Sequence, residues 1–223
     1  MTKADSAKSP IETREEYAAG NKRLMEENGV AMVNLIGQPG AGKTTVLEKI
    51  LPLLKNKLSF AVIEGDRAGL HSDSRLAASG AEVIRIHTRG SFDLDIVQVN
   101  EALRKLPLEN LDVVVVENIG NPDCPEELDL GDDLKIFVTS VTDGMDVPAR
   151  YSRDFKQASV ALVNKIDLLP YREFSLGAFI EELVSINESL KIFPISALTG
   201  EGMEELSISL GRMVWKRRRN LAA

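Results

Sequence analysis

Eight residues limit what this chain can fold into more than any others. Gly37-Gln38-Pro39-Gly40-Ala41-Gly42-Lys43-Thr44 fits the pattern G-x-x-x-x-G-K-[ST]. An apolar run, Val30 to Ile36, precedes it and reads as a strand, and a helical pattern follows from Lys43. The glycines let the backbone wrap a phosphate chain without Cβ clashes, so that amide groups point inward and the helix dipole adds positive potential. Lys43 would reach the β- and γ-phosphates, and the Thr44 hydroxyl would ligate Mg²⁺. A dinucleotide loop of the G-x-G-x-x-G type has no need of the lysine. The motif therefore calls for strand, loop and helix in that order.

The rest of the chain supplies the remaining layers. Phe60 to Ile63, Glu82 to His87, Asp112 to Val116, Ile136 to Val138, Val160 to Val163 and Ile192 to Ile195 read as strands, with Glu82 to His87 nearer an edge. Asp112 to Val116 is short, apolar and β-branched, as in a strand buried on both faces. Between the strands lie helical patterns: one from Lys43, which Pro52 should kink or end, one around Arg75 to Ala78 stopping at Gly80, and one lined by Leu94, Val97 and Leu103. Leu176 to Leu190 and Met203 to Trp215 are amphipathic helices. This alternation predicts an α/β fold, a mostly parallel sheet flanked by helices, with ligands at the carboxyl ends of the strands.

Residues 1–28 read as a polar segment and a helical arm, and residues 29–223 as the main domain. Thr13 and Glu16 have capping-box spacing, Gly29 suits a helix stop, and Tyr17, Leu24 and Met25 are the arm's apolar contacts. The arm could lie on the domain or against a second subunit.

Composition narrows the function. A formal net charge of -7 argues against a broad nucleic-acid surface. The concentrated basic run, Lys216-Arg217-Arg218-Arg219, reads as a solvated helix end favoured by the helix dipole. One cysteine, Cys124, excludes an intrachain disulfide. Met1 to Pro10 has no apolar signal core, and no run approaches the roughly 20 apolar residues of a membrane helix. The expectation is a cytoplasmic protein with no membrane and no nucleic-acid partner.

Two further motifs address the base and the metal. Asn164-Lys165-Ile166-Asp167 follows an apolar strand and resembles the N-K-x-D motif of GTPases. An Asp167 carboxylate can accept from N1 and the 2-amino group of guanine, a donor pair that adenine lacks. Lys165 can pack along the base plane. Ser196-Ala197-Leu198 resembles the loop that offers guanine O6 a backbone N–H. A carboxylate near Mg²⁺ would come from Asp66 or Glu117, each at the end of a strand, although both could instead cap the segment that follows. Gly120, in Glu117-Asn118-Ile119-Gly120, can offer an N–H to a γ-phosphate. Asp66 could orient the attacking water. No intrinsic arginine finger or glutamine is evident, which predicts slow unaided turnover.

Together these residues resemble the hydrogenase maturation GTPases called HypB, relatives of the urease accessory GTPases. The resemblance runs from Asn21-Lys22-Arg23-Leu24 through Asn34 to Thr45, Glu64-Gly65-Asp66 and Glu117 to Pro125, and on to Asn164 to Asp167 and Ser196 to Gly200. It implies a P-loop NTPase with a SIMIBI-type G domain. Nucleotide would be held by Gly37, Gly40, Ala41, Gly42, Lys43, Thr44, Thr45, Gly120, Asn164, Lys165, Asp167, Ser196, Ala197 and Leu198. Lys43, Asp66 and Glu117 would be catalytic, and Thr44, Asp66 and Glu117 would hold Mg²⁺. The implied assembly is a GTP-dependent homodimer that cycles between GTP and GDP. It would deliver nickel to a hydrogenase large subunit with a zinc-containing partner. Arg150 and Tyr151 fall where the family usually has Lys-Tyr, a region that can reach the partner subunit's nucleotide.

The sequence also departs from the family. Cys124 matches a cysteine of the subunit-interface site, which would take Ni²⁺ or Zn²⁺, but could also be a lone thiol. Phe92-Asp93 stands where the family has an adjacent Cys-His pair. No N-terminal cysteine cluster or histidine-rich store is present, and the two histidines, His71 and His87, suit ordinary roles. Two other functions stay open. One is a GTP-gated docking scaffold that has lost the metal site. The other is a GTPase chaperone of a different cofactor enzyme.

Overall fold

The computed structural model describes residues 10–66, 75–76, 79–88, 94–119 and 129–221. Seven strands form one sheet: β1 (Ala31–Gly37), β2 (Phe60–Asp66), β3 (Glu82–His87), β4 (Val113–Glu117), β5 (Leu134–Ser140), β6 (Val160–Asn164) and β7 (Lys191–Pro194). Their order is β3-β2-β4-β1-β5-β6-β7. Every pairing is parallel. The sheet is thus wholly parallel, and β3 lies at an edge as its alternating pattern predicts.

The central strands are apolar on both faces because helices cover both. One core joins Val33, Leu35, Val113 and Val115 to helices α2 (Lys43–Leu54) and α7 (Met203–Leu221). The opposite face packs Met32, Ala61, Val114 and Val116 against α1 (Pro10–Glu27) and α3 (Ile96–Leu103). A third cluster, around Phe137, Phe155, Phe179 and Leu183, lies beneath α4 (Val147–Arg150), α5 (Ser152–Gln157) and α6 (Leu176–Ile186). Burial of this much branched aliphatic surface is the main force holding the layers together.

Helix α1 packs on the domain in the structure. Met25 is buried, Tyr17 and Leu24 pack beside it, and Asn21 donates to Leu130 O at 3.1 Å. Asn100 on α3 donates to Asn21 Oδ1 at 2.6 Å, so a buried amide pair pins the two helices together.

Several elements differ from the sequence expectations. Helix α1 begins at Pro10 rather than at a Thr13 cap, in keeping with proline's preset φ in a first helical turn. Pro52, expected to kink or end α2, lies inside the helix, which runs on to Leu54. It sits in the last turn, where few backbone hydrogen bonds remain for a missing N–H to break. Arg75 and Leu76 lie in a turn, and the expected helix does not form at these two residues. Leu94 precedes α3, whose N-cap is Asp95, with the carboxylate accepting from Val97 N at 2.9 Å. Helix α6 stops at Ile186 because Asn187 turns back to donate to Phe155 O at 2.9 Å.

Helix α7 carries the basic run, but two of its arginines are paired and partly buried rather than simply solvated. Arg217 pairs with Asp133 at 2.5 Å and Glu26 at 3.3 Å. Arg218 donates to Gly29 O at 2.9 Å and pairs with Asp112. Acidic groups at the amino-terminal edge of the sheet outcompete water for these guanidinium forks. Among the described residues, no helix is long and apolar enough to cross a membrane.

Candidate nucleotide site

The site lies at the carboxyl ends of β1, β4, β5 and β6, where the parallel sheet directs its strand exits to one rim. Strand β1 ends at Gly37, and α2 starts at Lys43. Two glycines between them are obligatory. A Cβ on Gly37 would fall on the Val138 carbonyl of β5, and a Cβ on Gly42 would run into the Asn164 amide. Gly42 also has φ +100°, and as the N-cap of α2 it offers no side-chain cap. The first amides of α2 are therefore left for a ligand.

Lys43 is buried and its ammonium donates to three carbonyls: Gly37 at 2.9 Å, Gln38 at 3.0 Å and Ile119 at 3.0 Å. Burial lowers its pKa from 10.5 to about 8, against the opposing pull of Glu117 and Asp143. Thr44 Oγ1 donates to Glu117 Oε1 at 2.5 Å. Burial raises the Glu117 pKa to about 7, against the Thr44 hydrogen bond and the Lys43 charge, with Glu64 adding to the rise. The second oxygen, Oε2, is buried with no hydrogen-bond partner. An orphaned carboxylate oxygen beside a threonine hydroxyl is a hard-oxygen donor set suited to Mg²⁺.

Asp66 is placed differently. The β2–β4 register pairs Glu64 with Glu117, so Asp66 lies two residues beyond that pair. Its carboxylate lies 3.3 Å from His87 Nδ1 on β3. Glu64 beside it accepts from Arg85 Nε at 3.0 Å. Sequence reading singled out Glu117 and Asp66. Glu64 was legible as the register neighbour only once the strand order was known.

The base-side residues form one connected group. Asn164 Nδ2 donates to Ala41 O at 2.8 Å, and its Oδ1 accepts from Ala197 N at 3.1 Å. One buried amide thereby ties the phosphate loop to the loop after β7. Lys165 adopts φ 63° and donates to Gly40 O at 2.7 Å. That left-handed turn carries the chain from β6 into the 3-10 segment Ile166–Tyr171, which bears Asp167. Ser196 Oγ donates to Asp167 Oδ1 at 2.5 Å and accepts from Thr199 N at 3.1 Å. Leu198 is largely exposed at the lip. Thr45 follows Thr44 on α2, and Arg75 reaches its hydroxyl at 3.4 Å.

Two further residues belong here: Asp143, which sequence reading passed over, and Tyr151, which the family resemblance placed in a region that can reach the partner subunit's nucleotide. Asp143 accepts from Ser140 N at 2.9 Å and Ser140 Oγ at 2.8 Å, and its charge acts on Lys43. Tyr151 hydrogen-bonds the side chain of Gln38 in the phosphate loop. The Ser140-x-x-Asp143 spacing at a strand end was the available signal for the first. The contact of Tyr151 with Gln38 within the same chain had no local signal. Gly120, Cys124, Phe92-Asp93 and His71 lie outside the described residues.

Known proteins match this arrangement. The family described as CobW/HypB/UreG, nucleotide-binding domain, matches residues 31–194. The hydrogenase maturation factor HypB of Rhizobium leguminosarum bv. viciae is 39% identical over 197 residues, covering 88% of this chain and 66% of that protein. The chain thus spans about two thirds of that relative's length. The probable hydrogenase maturation factor HypB of Methanocaldococcus jannaschii is 32% identical and is covered to 91%, as is this chain. Among solved structures, HypB from Helicobacter pylori in complex with nickel superposes with a TM-score of 0.83 at 28% identity, covering 94% of this chain and 97% of that one.

Proposed function

This chain belongs to the CobW/HypB/UreG family, among the HypB hydrogenase maturation factors, and we propose that it binds Mg²⁺ and GTP and hydrolyses the nucleotide to drive nickel insertion. The observation that carries this reading is the buried, unpartnered Oε2 of Glu117 beside the Thr44 hydroxyl and the Lys43 ammonium. Thr44 and Glu117 are the side chains that would hold Mg²⁺. The ion would supply charge neutralisation at the β- and γ-phosphates.

The chain's own groups account for binding and orientation. Lys43 exchanges its carbonyl partners for phosphate oxygens, and the amides of the Gly37–Thr44 loop close around the phosphate chain. Gly120 would add its N–H to the γ-phosphate, and Thr45 its backbone at the next phosphate. Asp66 orients water. Asp167, held by Ser196, presents its free carboxylate edge to guanine N1 and the 2-amino group. Ala197 and Leu198 bound the other side of the base, and Lys165 lies along its plane. Adenine would leave Asp167 unpaired, at a cost of roughly 1–3 kcal/mol.

The partners follow from the relatives. Two copies, pairing around bound GTP in the cytoplasm, would serve a hydrogenase large subunit with a zinc-containing delivery partner. Cys124 is the candidate thiol for Ni²⁺ or Zn²⁺. Titrating GTP, GDP and ATP tests the nucleotide reading, and equal affinities for GTP and ATP overturn it. Titrating Ni²⁺ into the wild type and Cys124→Ala tests the metal reading. Binding no tighter than micromolar in every nucleotide state overturns direct nickel carriage.

One sequence observation favours a second reading, a GTP-gated docking scaffold: Phe92-Asp93 replaces the family's Cys-His pair. Partner capture that needs GTP but ignores metal would select it.

A further inference from the structure

Arg75, between β2 and β3 in the chain, reaches α2 with its side chain. Its Nε lies 2.8 Å from Glu48 Oε1 and its Nη2 lies 2.5 Å from Glu48 Oε2, a two-pronged pair. The same Nη2 is 3.4 Å from Thr45 Oγ1. The guanidinium thus rests beside the first turn of α2, one residue along from Thr44, and its charge is felt at Glu117.

This resting place is open to water on the arginine's side. The Arg75 side chain is 58% exposed and that of Glu48 25%. An exposed ion pair gains little over hydration and holds two long side chains at an entropic cost. A polyphosphate on the amides of the same helix offers the same planar fork a denser set of anionic oxygens, in a less hydrated setting. Glu48 lies one helical turn beyond Thr44 and Thr45, so the guanidinium already rests at the end of α2 that faces the phosphate loop.

We propose that Arg75 is a cis-acting cation for the nucleotide's terminal phosphate, parked on Glu48 until a triphosphate draws it off. This rests on the GTP reading above and deepens it, because the sequence shows no arginine finger. The fork would discriminate GTP from GDP, and its charge would offset the negative charge that builds on the phosphoryl oxygens during transfer.

Binding separates this proposal from its parent. Affinities for GDP and for a non-hydrolysable GTP analogue are measured with Mg²⁺ for the wild type, Arg75→Ala, Arg75→Lys, Glu48→Gln and the charge-swapped Arg75→Glu/Glu48→Arg. Thermal melts confirm that each variant folds. Arg75→Ala should weaken the GTP analogue by about tenfold or more and leave GDP within about twofold. Arg75→Lys should recover only part of that loss, and Glu48→Gln should tighten the GTP analogue. Hydrolysis by Arg75→Ala should fall in kcat, with KM for GTP less affected than kcat.

The proposal is overturned if Arg75→Ala shifts both nucleotides alike or neither. It is also overturned if the charge swap restores wild-type behaviour, since Arg75 would then be only a clasp on α2. A wild-type protein that binds neither nucleotide overturns the function reading itself, whatever the Arg75 variants do.

Discussion

Thr44 Oγ1 donates to Glu117 Oε1 across 2.5 Å, joining the first turn of α2 to the end of β4. The two residues are 73 apart in sequence, and parallel pairing of β1 with β4 brings them together. Burial keeps the Glu117 carboxyl reluctant to ionise, while its free oxygen has no other partner. A divalent cation would resolve both conditions. Glu117→Gln should keep the fold and lose Mg²⁺-dependent tightening of GTP by about a hundredfold, of the order expected for a lost anionic ligand. Isothermal titration with and without Mg²⁺ checks this, and an unchanged Mg²⁺ effect refutes it.

Stability of the protein without nucleotide should depend on pH in two windows. Glu117 has a folded pKa of about 7, above its ordinary 4.5, so the folded state holds an extra proton between those values. Its stabilising contribution is complete below pH 4.5 and is lost as pH rises through 7. Lys43 has a folded pKa of about 8, below 10.5, so its penalty is relieved as pH rises from 8 towards 10.5. These two groups together predict a stability minimum near pH 7–8. Melting temperatures across pH 5–10 should show it, and Glu117→Gln should flatten the acid limb.

Asn164 should matter to structure and to ligand alike. Its replacement by Ala leaves Ala41 O and Ala197 N, both buried, without their amide partner. The expected loss is about 1–3 kcal/mol in urea unfolding, and nucleotide affinity should fall with it. A variant with full stability and weakened binding would show that Asn164 serves the ligand alone.

Gly42→Ala should be more damaging than its one added methyl suggests. It strains a φ of +100° and drives a Cβ into the Asn164 amide. The expectation is loss of nucleotide binding with a destabilisation of about 1–3 kcal/mol. Gly40→Ala, whose Cβ meets nothing within 4 Å, strains φ alone and should cost less by the same unfolding assay.

Far from the site, Asp133 accepts from Met32 N at 2.9 Å and from Arg217 at 2.5 Å. Its side chain is only 3% exposed. Asp133→Ala should destabilise by about 2–3 kcal/mol, because it strands the buried Met32 amide and leaves Arg217 only its longer pair with Glu26. Deleting residues after Trp215 should reproduce much of that loss in chemical denaturation.

Much of the architecture was legible because it is local. The apolar run before Gly37, the β-branched stretch Val113 to Val116 and the strand Val160 to Val163 each announce a buried parallel strand through their own side chains. Gly37 and Gly42 mark the turn that needs unusual φ or close backbone approach, whereas the left-handed Lys165 had no such marker. The misreadings fell where distant partners decide. The end of α6 depends on Asn187 reaching Phe155 O. The basic tail is drawn inward by Asp133, Glu26 and Asp112.

By itself, the sequence predicted a phosphate-binding loop at Gly37 to Thr44, and it placed Asn164, Asp167, Ser196 and Glu117 at strand ends. Periodicity and turn chemistry act over a few residues, so those statements needed no tertiary knowledge. The tertiary structure alone decided that Glu117, not Asp66, meets the Thr44 hydroxyl, that Asn164 clasps two loops, and that Arg75 rests on Glu48. Each depends on the strand order β2-β4-β1-β5-β6, which brings together residues dozens of positions apart. Such contacts are fixed by the packing of the whole sheet, and no stretch of sequence contains both partners.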